Sequence, residues 1–275
     1  MASVILHDDA SGASLSIGGL EDACDAAFLR DSGTTHILSC CKASMVQRAV
    51  AQVEQSIEVL SVPLLDNGES NLEQGLATPH FTEGHVPVEW MAEALRRQGR
   101  VLVQCRSGVN RSVAATLVLM LHCGITLRNS YSIVRLGRPR MEPMDAYLQQ
   151  IYSIEDKWLG QRSFDRDRDL GGSNMGMLRL ASSSGAYDEA AFDALAAEAA
   201  RKWQRMVEET PHEALQASCS PRLFAPRDGE CIPPVAPGRN PTAVSPLKML
   251  EDEEGKPEPE PEPGEHERQN KCILS

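Results

Sequence analysis

Apolar residues recur along the first 160 positions in two rhythms. Short β-type runs fall at Val4–Leu6, Leu15–Gly18, His36–Ser39, Ile57–Val62 and Val101–Gln104. Between them, apolar residues three and four apart predict helices over Glu21–Asp31, part of Lys42–Gln55, His85–Gln98, Ser112–His122, Leu127–Arg135 and Asp145–Trp158. Gly137-Arg138-Pro139 ends one of these helices, and Pro143 suits the first turn of the next. Strand and helix in alternation predict an α/β fold over residues 1–160, with a twisted, mostly parallel sheet flanked by helices.

The rhythm changes after Trp158. Residues 161–186 are charged and Gly-containing, and are expected to form a linker. Over 187–209 the residues Phe192, Leu195, Ala199, Trp203 and Met206 mark one amphipathic helix. From Thr210 proline and charge dominate, so residues 210–275 are expected to be a disordered, acidic, Pro-rich tail.

Composition narrows the class. Hydrophobic residues at 41% with 4% aromatics suffice for one core, but not for 275 uniformly packed residues. No apolar stretch approaches the roughly 18 residues that span a bilayer. The opening MASVILHDDA carries acids where a secretory signal carries a basic segment, so a cytoplasmic protein with reduced thiols is expected. The net charge of −12 includes nine acids against Lys256 in residues 251–267, which argues against a nucleic-acid partner.

Residues 101–112, VLVQCRSGVNRS, carry the chemistry. An apolar strand delivers Cys105, a short loop follows, and a helix begins near Arg111 and Ser112. Free N–H groups at a helix start favour an anion and depress a thiol's pKa. The Arg111 guanidinium can fork onto two phosphate oxygens, and Ser112 can donate to the sulfur when it departs. The loop residues Arg106, Ser107, Gly108, Val109 and Asn110 would surround the phosphoryl group. This is the equipment of cysteine-based phosphate-ester hydrolysis, which calls for no metal and no organic cofactor. Cys24 and Arg30 share the Cys-to-Arg spacing, but they sit in a helical pattern without glycine, where the amides are already bonded.

A leaving alkoxide or phenolate needs a proton. Asp66 ends the apolar run VLSVPLLD and opens the polar loop NGESN, where a carboxyl can face the Cys105 loop. Glu69 is its local rival.

QCRSGVNRS resembles the HCxxGxxRS signature of the protein tyrosine phosphatases, and its surroundings resemble their dual-specificity branch. The likeness runs over about residues 14–158, through LSIGGLEDACDAAFLRDSGTTHILSCCK, VPLLDNGESNL, the signature and RLGRPRMEPMDAYLQQI. It implies a shallow-clefted α/β phosphatase acting on phosphoserine, phosphothreonine and phosphotyrosine in proteins through a phosphocysteine intermediate, with Asp66 at the acid position. Two departures matter. Gln104 stands where the family has His, which is expected to leave the thiolate less stabilised and the enzyme slower. Met144 stands where Asn is usual, which is expected to loosen support of the acid loop. Gln104 keeps a rival reading open, a weakened phosphate-binding scaffold. A phosphatase for a non-protein ester is another, although the loop has none of the lysines that lipid phosphatases of this superfamily tend to carry.

Two further features lie outside that machinery. Cys40-Cys41 ends a strand expected beside the signature strand, where a second thiol could trap oxidised Cys105. The terminal Cys272-Ile273-Leu274-Ser275 fits the prenylation pattern, with serine favouring farnesyl at Cys272. One chain anchors marginally, so partial, reversible membrane association is expected.

Overall fold

The computed structural model describes residues 1–225 except 43, 54–55, 80–83, 171–200, 202, 203, 206, 207 and 210. Five strands, β1 (Ser3–His7), β2 (Ser14–Gly18), β3 (His36–Ser39), β4 (Glu58–Ser61) and β5 (Arg100–Gln104), form one sheet in the order β1-β2-β5-β3-β4. Only the β1–β2 pair is antiparallel; β2–β5, β5–β3 and β3–β4 are parallel. The fold is therefore the expected mostly parallel α/β sheet flanked by helices.

Strand β5 is the centre of the sheet and its sequence shows why. Val101, Leu102 and Val103 are each at most 1% exposed, as a strand covered on both faces requires. Val101 and Val103 join the larger core cluster, while Leu102 turns to a second cluster with Ala23, Leu29, Ile37 and Val46. In the register, Gly18 and Ser39 both pair with Gln104, so three parallel strands end at one level. Ligands of open α/β sheets bind just beyond such carboxyl ends, and there the signature loop begins.

The first helical segment is two helices rather than one. α1 (Leu20–Ala23) stops at Cys24, and Asp25 starts α2 (Ala26–Asp31) by accepting from the N–H groups of Ala27 and Phe28. α3 spans Ser44–Val50. α4 (Leu72–Ala77) was not predicted; six residues give too short a pattern, and its start is set by Asn71 accepting from Gln74 N at 2.9 Å. α5 (Pro87–Arg96) opens on a proline. α6 (Arg111–His122) follows the signature loop and is buried on every side from Arg111 to Leu121. α7 (Leu127–Gly137) is started from outside: the buried Glu155 of α8 (Asp145–Leu159) accepts from Leu127 N at 2.7 Å.

The compact fold continues past residue 160, against the expected boundary. Phe164 is buried against Tyr131, and Arg166–Leu170 form α9. Within the stretch 210–275 expected to be disordered, His212–Phe224 instead form α10, which packs on α5 and α7 and buries Leu215, Cys219 and Leu223. Those residues are spaced by four, a stripe obscured by Pro221. One proline is tolerated there because tertiary burial outweighs the hydrogen bond it forgoes. Of the 187–209 segment, Arg201, Gln204, Arg205, Glu208 and Glu209 are helical, and Glu209 pairs with Arg128 at 2.8 Å. Phe192, Leu195, Ala199, Trp203, Met206 and the tail with Cys272 lie outside the described residues.

Candidate active site

Cys105 leaves β5 with its side chain buried, 1% exposed, at the base of the loop. Gly108 N donates to its sulfur at 3.3 Å, and the Ser112 hydroxyl lies 3.2 Å away. Burial pushes this thiol's pKa up. The Ser112 hydroxyl and the N–H groups of Ser112, Gly108 and Ser107 outweigh that, and the net result lies below the ordinary thiol value. Gly108 has a φ of +68°, and a Cβ there would meet Gly18 O and the Arg138 guanidinium at 2.5 Å, so this turn admits no side chain. Arg106 and Ser107 are exposed at the mouth of the loop, and Val109 and Asn110 are half-buried.

Arg111 opens α6 with a side chain only 11% exposed. Its Nη1 donates to Leu64 O at 3.3 Å, on the segment that carries Asp66. Its Nε lies 3.0 Å from Asp66 Oδ1, an ion pair by distance whose N–H does not point squarely at the oxygen. Asp66 is otherwise open to solvent, 62% exposed. Asn110 Nδ2 reaches the same Oδ1 at 3.2 Å. The structure thus brings Asp66, Asn110 and Arg111 together at the edge of the loop that holds Cys105. Glu69 is exposed, and its N–H closes a turn on Asn67 Oδ1.

Support for the loop that carries Asp66 comes from residues that the sequence did not single out. Tyr147 OH donates to Leu65 O, and Gln150 Nε2 donates to Ser70 O at 3.0 Å and Gly68 O at 3.3 Å. Met144, the expected weak point, gives its backbone N–H to Asn110 Oδ1 at 2.9 Å, so this contact does not depend on the residue type at 144. The signal for Tyr147 and Gln150 was their spacing of three on one face of a helix.

Gln104 is fully buried, and its Nε2 donates to Ser39 Oγ; its Oε1 has no hydrogen-bond partner among the described residues. Cys41 is half-buried beside Arg111, 4.0 Å from Nη1, and the Arg106 N–H reaches its sulfur. Burial holds the Cys41 thiol above its ordinary value although Arg111 opposes this. Cys40 is wholly buried, and burial with the neighbouring thiols pushes it far higher. No cluster of His, Cys, Asp and Glu fit to hold a metal occurs among the described residues. A cavity of about 480 Å³ lined by Ala2, Ser14, Ser16, Phe28 and Arg100 contains none of the predicted site residues.

The chain is 27% identical over 146 residues to "Dual specificity protein phosphatase Mpk3" of Drosophila melanogaster, covering 52% of this chain and 32% of that protein. It is 28% identical over 142 residues to "MAP kinase phosphatase with leucine-rich repeats protein 2" of Dictyostelium discoideum, covering 51% of this chain and 18% of that protein. The matched region is thus a third or less of these relatives' length. Among solved structures, the Yvh1 phosphatase domain from Chaetomium thermophilum aligns with a TM-score of 0.45 at 22% identity, over 60% of this chain and 100% of that one. The family model described as "Dual specificity phosphatase, catalytic domain" matches residues 17–157, which span the signature loop, the Asp66 loop and their supporting helices. The chain belongs to the dual-specificity phosphatase catalytic-domain family.

Proposed function

We propose that this protein is a cysteine-dependent phosphoprotein phosphatase that hydrolyses phosphoserine, phosphothreonine and phosphotyrosine through a phosphocysteine intermediate. The observation that carries this reading is the Cys105 sulfur, held 3.3 Å from Gly108 N and 3.2 Å from Ser112 Oγ, with its pKa lowered despite burial. In this reading the Cys105 thiolate attacks phosphorus and forms the S–P bond as the ester P–O bond breaks. Asp66 gives its proton to the leaving oxygen. The loop amides of residues 106–110 and the Arg111 fork hold the three equatorial oxygens. Asp66 then takes a proton from water as that water displaces the sulfur, and Ser112 donates to the departing thiolate.

The proximity of Asp66 and Arg111 fits an exchange of partners. An arriving phosphate dianion competes for the guanidinium, which frees the Asp66 carboxyl to face the leaving oxygen. Gln104 does not touch the sulfur, and the thiol is activated without it; this favours an enzyme over a weakened scaffold. Phosphoproteins are the proposed substrates, consistent with a loop that lacks lysine. We further propose farnesylation at Cys272, giving a cytoplasmic pool in exchange with membrane.

Phosphate release from peptides bearing phosphoserine, phosphothreonine or phosphotyrosine tests the reading. Turnover of all three, abolished in Arg111→Ala, supports it. Tight peptide binding without turnover would favour the scaffold, and turnover confined to lipid or sugar phosphates would move the substrate class.

A further inference from the structure

Past the end of α8 at Leu159, and past the matched family region that closes at residue 157, the chain turns back onto the domain. Phe164 is fully buried and stacks on Tyr131 with ring centroids 4.5 Å apart, and Leu170 reaches the main core. These two apolar anchors hold α9 (Arg166–Leu170) in place. The backbone N–H of Arg166 is fixed as well, donating to Tyr152 Oη at 2.8 Å. Its side chain is thereby delivered to the residues that open α8.

That helix start has no cap of its own. Met144 precedes α8 in extended conformation, and no side chain at this position bonds the free N–H groups of the first turn. Pro143 has no N–H to give. The peptide joining these two residues offers one carbonyl and one N–H, and side chains from elsewhere hold both. Arg166 Nη1 donates to Pro143 O at 3.2 Å, and Met144 N donates to Asn110 Oδ1 at 2.9 Å. A trans peptide is planar with its C=O and N–H opposed, so fixing the carbonyl aims the N–H. Arg166 Nη2 also pairs with Asp145, the next residue, which sets the guanidinium across the helix start. The Arg166 side chain is only 16% exposed, so water screens these contacts weakly.

On its other side Asn110 meets the Asp66 carboxyl, with Nδ2 donating to Oδ1 at 3.2 Å. One amide side chain thus has its oxygen on the start of α8 and its nitrogen on the carboxylate. Were Met144 N to turn away, that amide could rotate and Asp66 would lose a donor. We infer that Arg166 is a positioning residue for Asp66: it aligns the Pro143–Met144 peptide, which orients Asn110, which holds the carboxyl beside the Cys105 loop. Tyr147 and Gln150 fix the backbone of the Asp66 loop, whereas Arg166 acts on the side chain. The role rests on the proposed use of Asp66 as the general acid.

The test uses the full chain as wild type, Arg166→Met and Arg166→Lys, each also on the Asp66→Asn background. Turnover is measured on an activated aryl phosphate and on phenyl phosphate, whose leaving group needs a proton. In Arg166→Met, kcat on phenyl phosphate is expected to fall about tenfold, as a misplaced proton donor allows. The loss on the activated ester is expected to stay under about twofold, and on the Asp66→Asn background both losses are expected to vanish. Arg166→Lys keeps a donor for Pro143 O but not the fork, so it is expected to recover part of the loss. A merely structural role would lower turnover of both esters on both backgrounds. Equal losses on the two esters, or a loss that persists without the Asp66 carboxyl, would therefore overturn the proposal. Hydrogen exchange at the Met144 amide, followed by NMR, supplies a readout without turnover. Faster exchange in Arg166→Met is expected, and a rate equal to wild type would overturn the proposal. If Arg166→Met fails to fold, Arg166→Lys decides by the same measurements. Wild type inactive on both esters would remove the phosphatase reading, and the Met144 exchange rate would still decide whether Arg166 aims that N–H.

Discussion

Asn110 Nδ2 meets Asp66 Oδ1 at 3.2 Å, and through this contact the loop that cradles Cys105 holds the loop that carries the carboxyl. The other end of the same amide accepts from Met144 N at 2.9 Å. Asn110 is thus a strap between two loops and a helix start. Asp66→Asn is expected to slow hydrolysis of esters with poor leaving groups ten- to ten-thousand-fold, roughly the range for positioned proton transfer. The loss on activated aryl phosphates is expected to be smaller. Asn110→Ala, which keeps the carboxyl but frees it, is expected to have a weaker effect of the same kind. An unaffected Asp66→Asn beside an impaired Glu69→Ala would move the acid to Glu69.

The lowered pKa of Cys105 is expected to set the acid limb of the pH profile. In the proposed mechanism thiolate is the attacking species, so activity is expected to fall as pH drops through that lowered value. A depressed folded pKa also means that the thiolate stabilises the fold at high pH, a contribution lost as pH falls through it. Ser112→Ala removes a hydrogen bond to a charged sulfur, typically about 1.5–3 kcal/mol, or roughly one to two pKa units. Its acid limb is expected to move to higher pH by that amount. Gln104→His is expected to move it less, since Gln104 bonds Ser39 and not the sulfur. A larger shift from Gln104→His than from Ser112→Ala would show that the residue before the nucleophile dominates.

Oxidation separates the two neighbouring thiols. Peroxide converts the Cys105 thiolate to sulfenic acid, and a second thiol then displaces hydroxide to form a disulfide and water. Cys41 is half-buried at the rim beside Arg111, whereas Cys40 is sealed in the core with its proton held more tightly. Mass spectrometry after peroxide is expected to find a thiol-reversible Cys105–Cys41 link. Recovery of Cys105 sulfinic acid alone would reject it.

Prenylation at Cys272 is tested by fractionation. A single farnesyl chain binds a bilayer marginally and reversibly, and the nine acids of residues 251–267 oppose an anionic surface. Cys272→Ser is expected to shift protein to the soluble fraction with activity on small substrates unchanged. Identical fractionation of the two forms would exclude a role for the terminal cysteine.

The five strands were legible because β5 and its neighbours carry continuous or alternating apolar runs that end at turn residues. The signature loop was legible because Cys105, Gly108, Arg111 and Ser112 are close in sequence as well as in chemistry. What escaped was held by long-range contact. Arg138 read as the end of a helix, because nothing local shows that it lies against carbonyls some thirty residues upstream. Tyr147 and Gln150 read as helix-face residues for the same reason. α10 was hidden by Pro221 in a region where charge and proline dominate, and its stripe of Leu215, Cys219 and Leu223 gains meaning only against α5 and α7.

The most direct measurement is covalent. Wild type is mixed with an aryl phosphate labelled in the phosphoryl group and denatured within the first turnover, and the labelled peptide is identified. The expected result is label on the peptide spanning residues 101–111, attached at Cys105, with none in Cys105→Ser and with more accumulated in Ser112→Ala as breakdown slows. Hydrolysis without label on Cys105, or undiminished turnover by Cys105→Ser, would contradict the phosphocysteine mechanism.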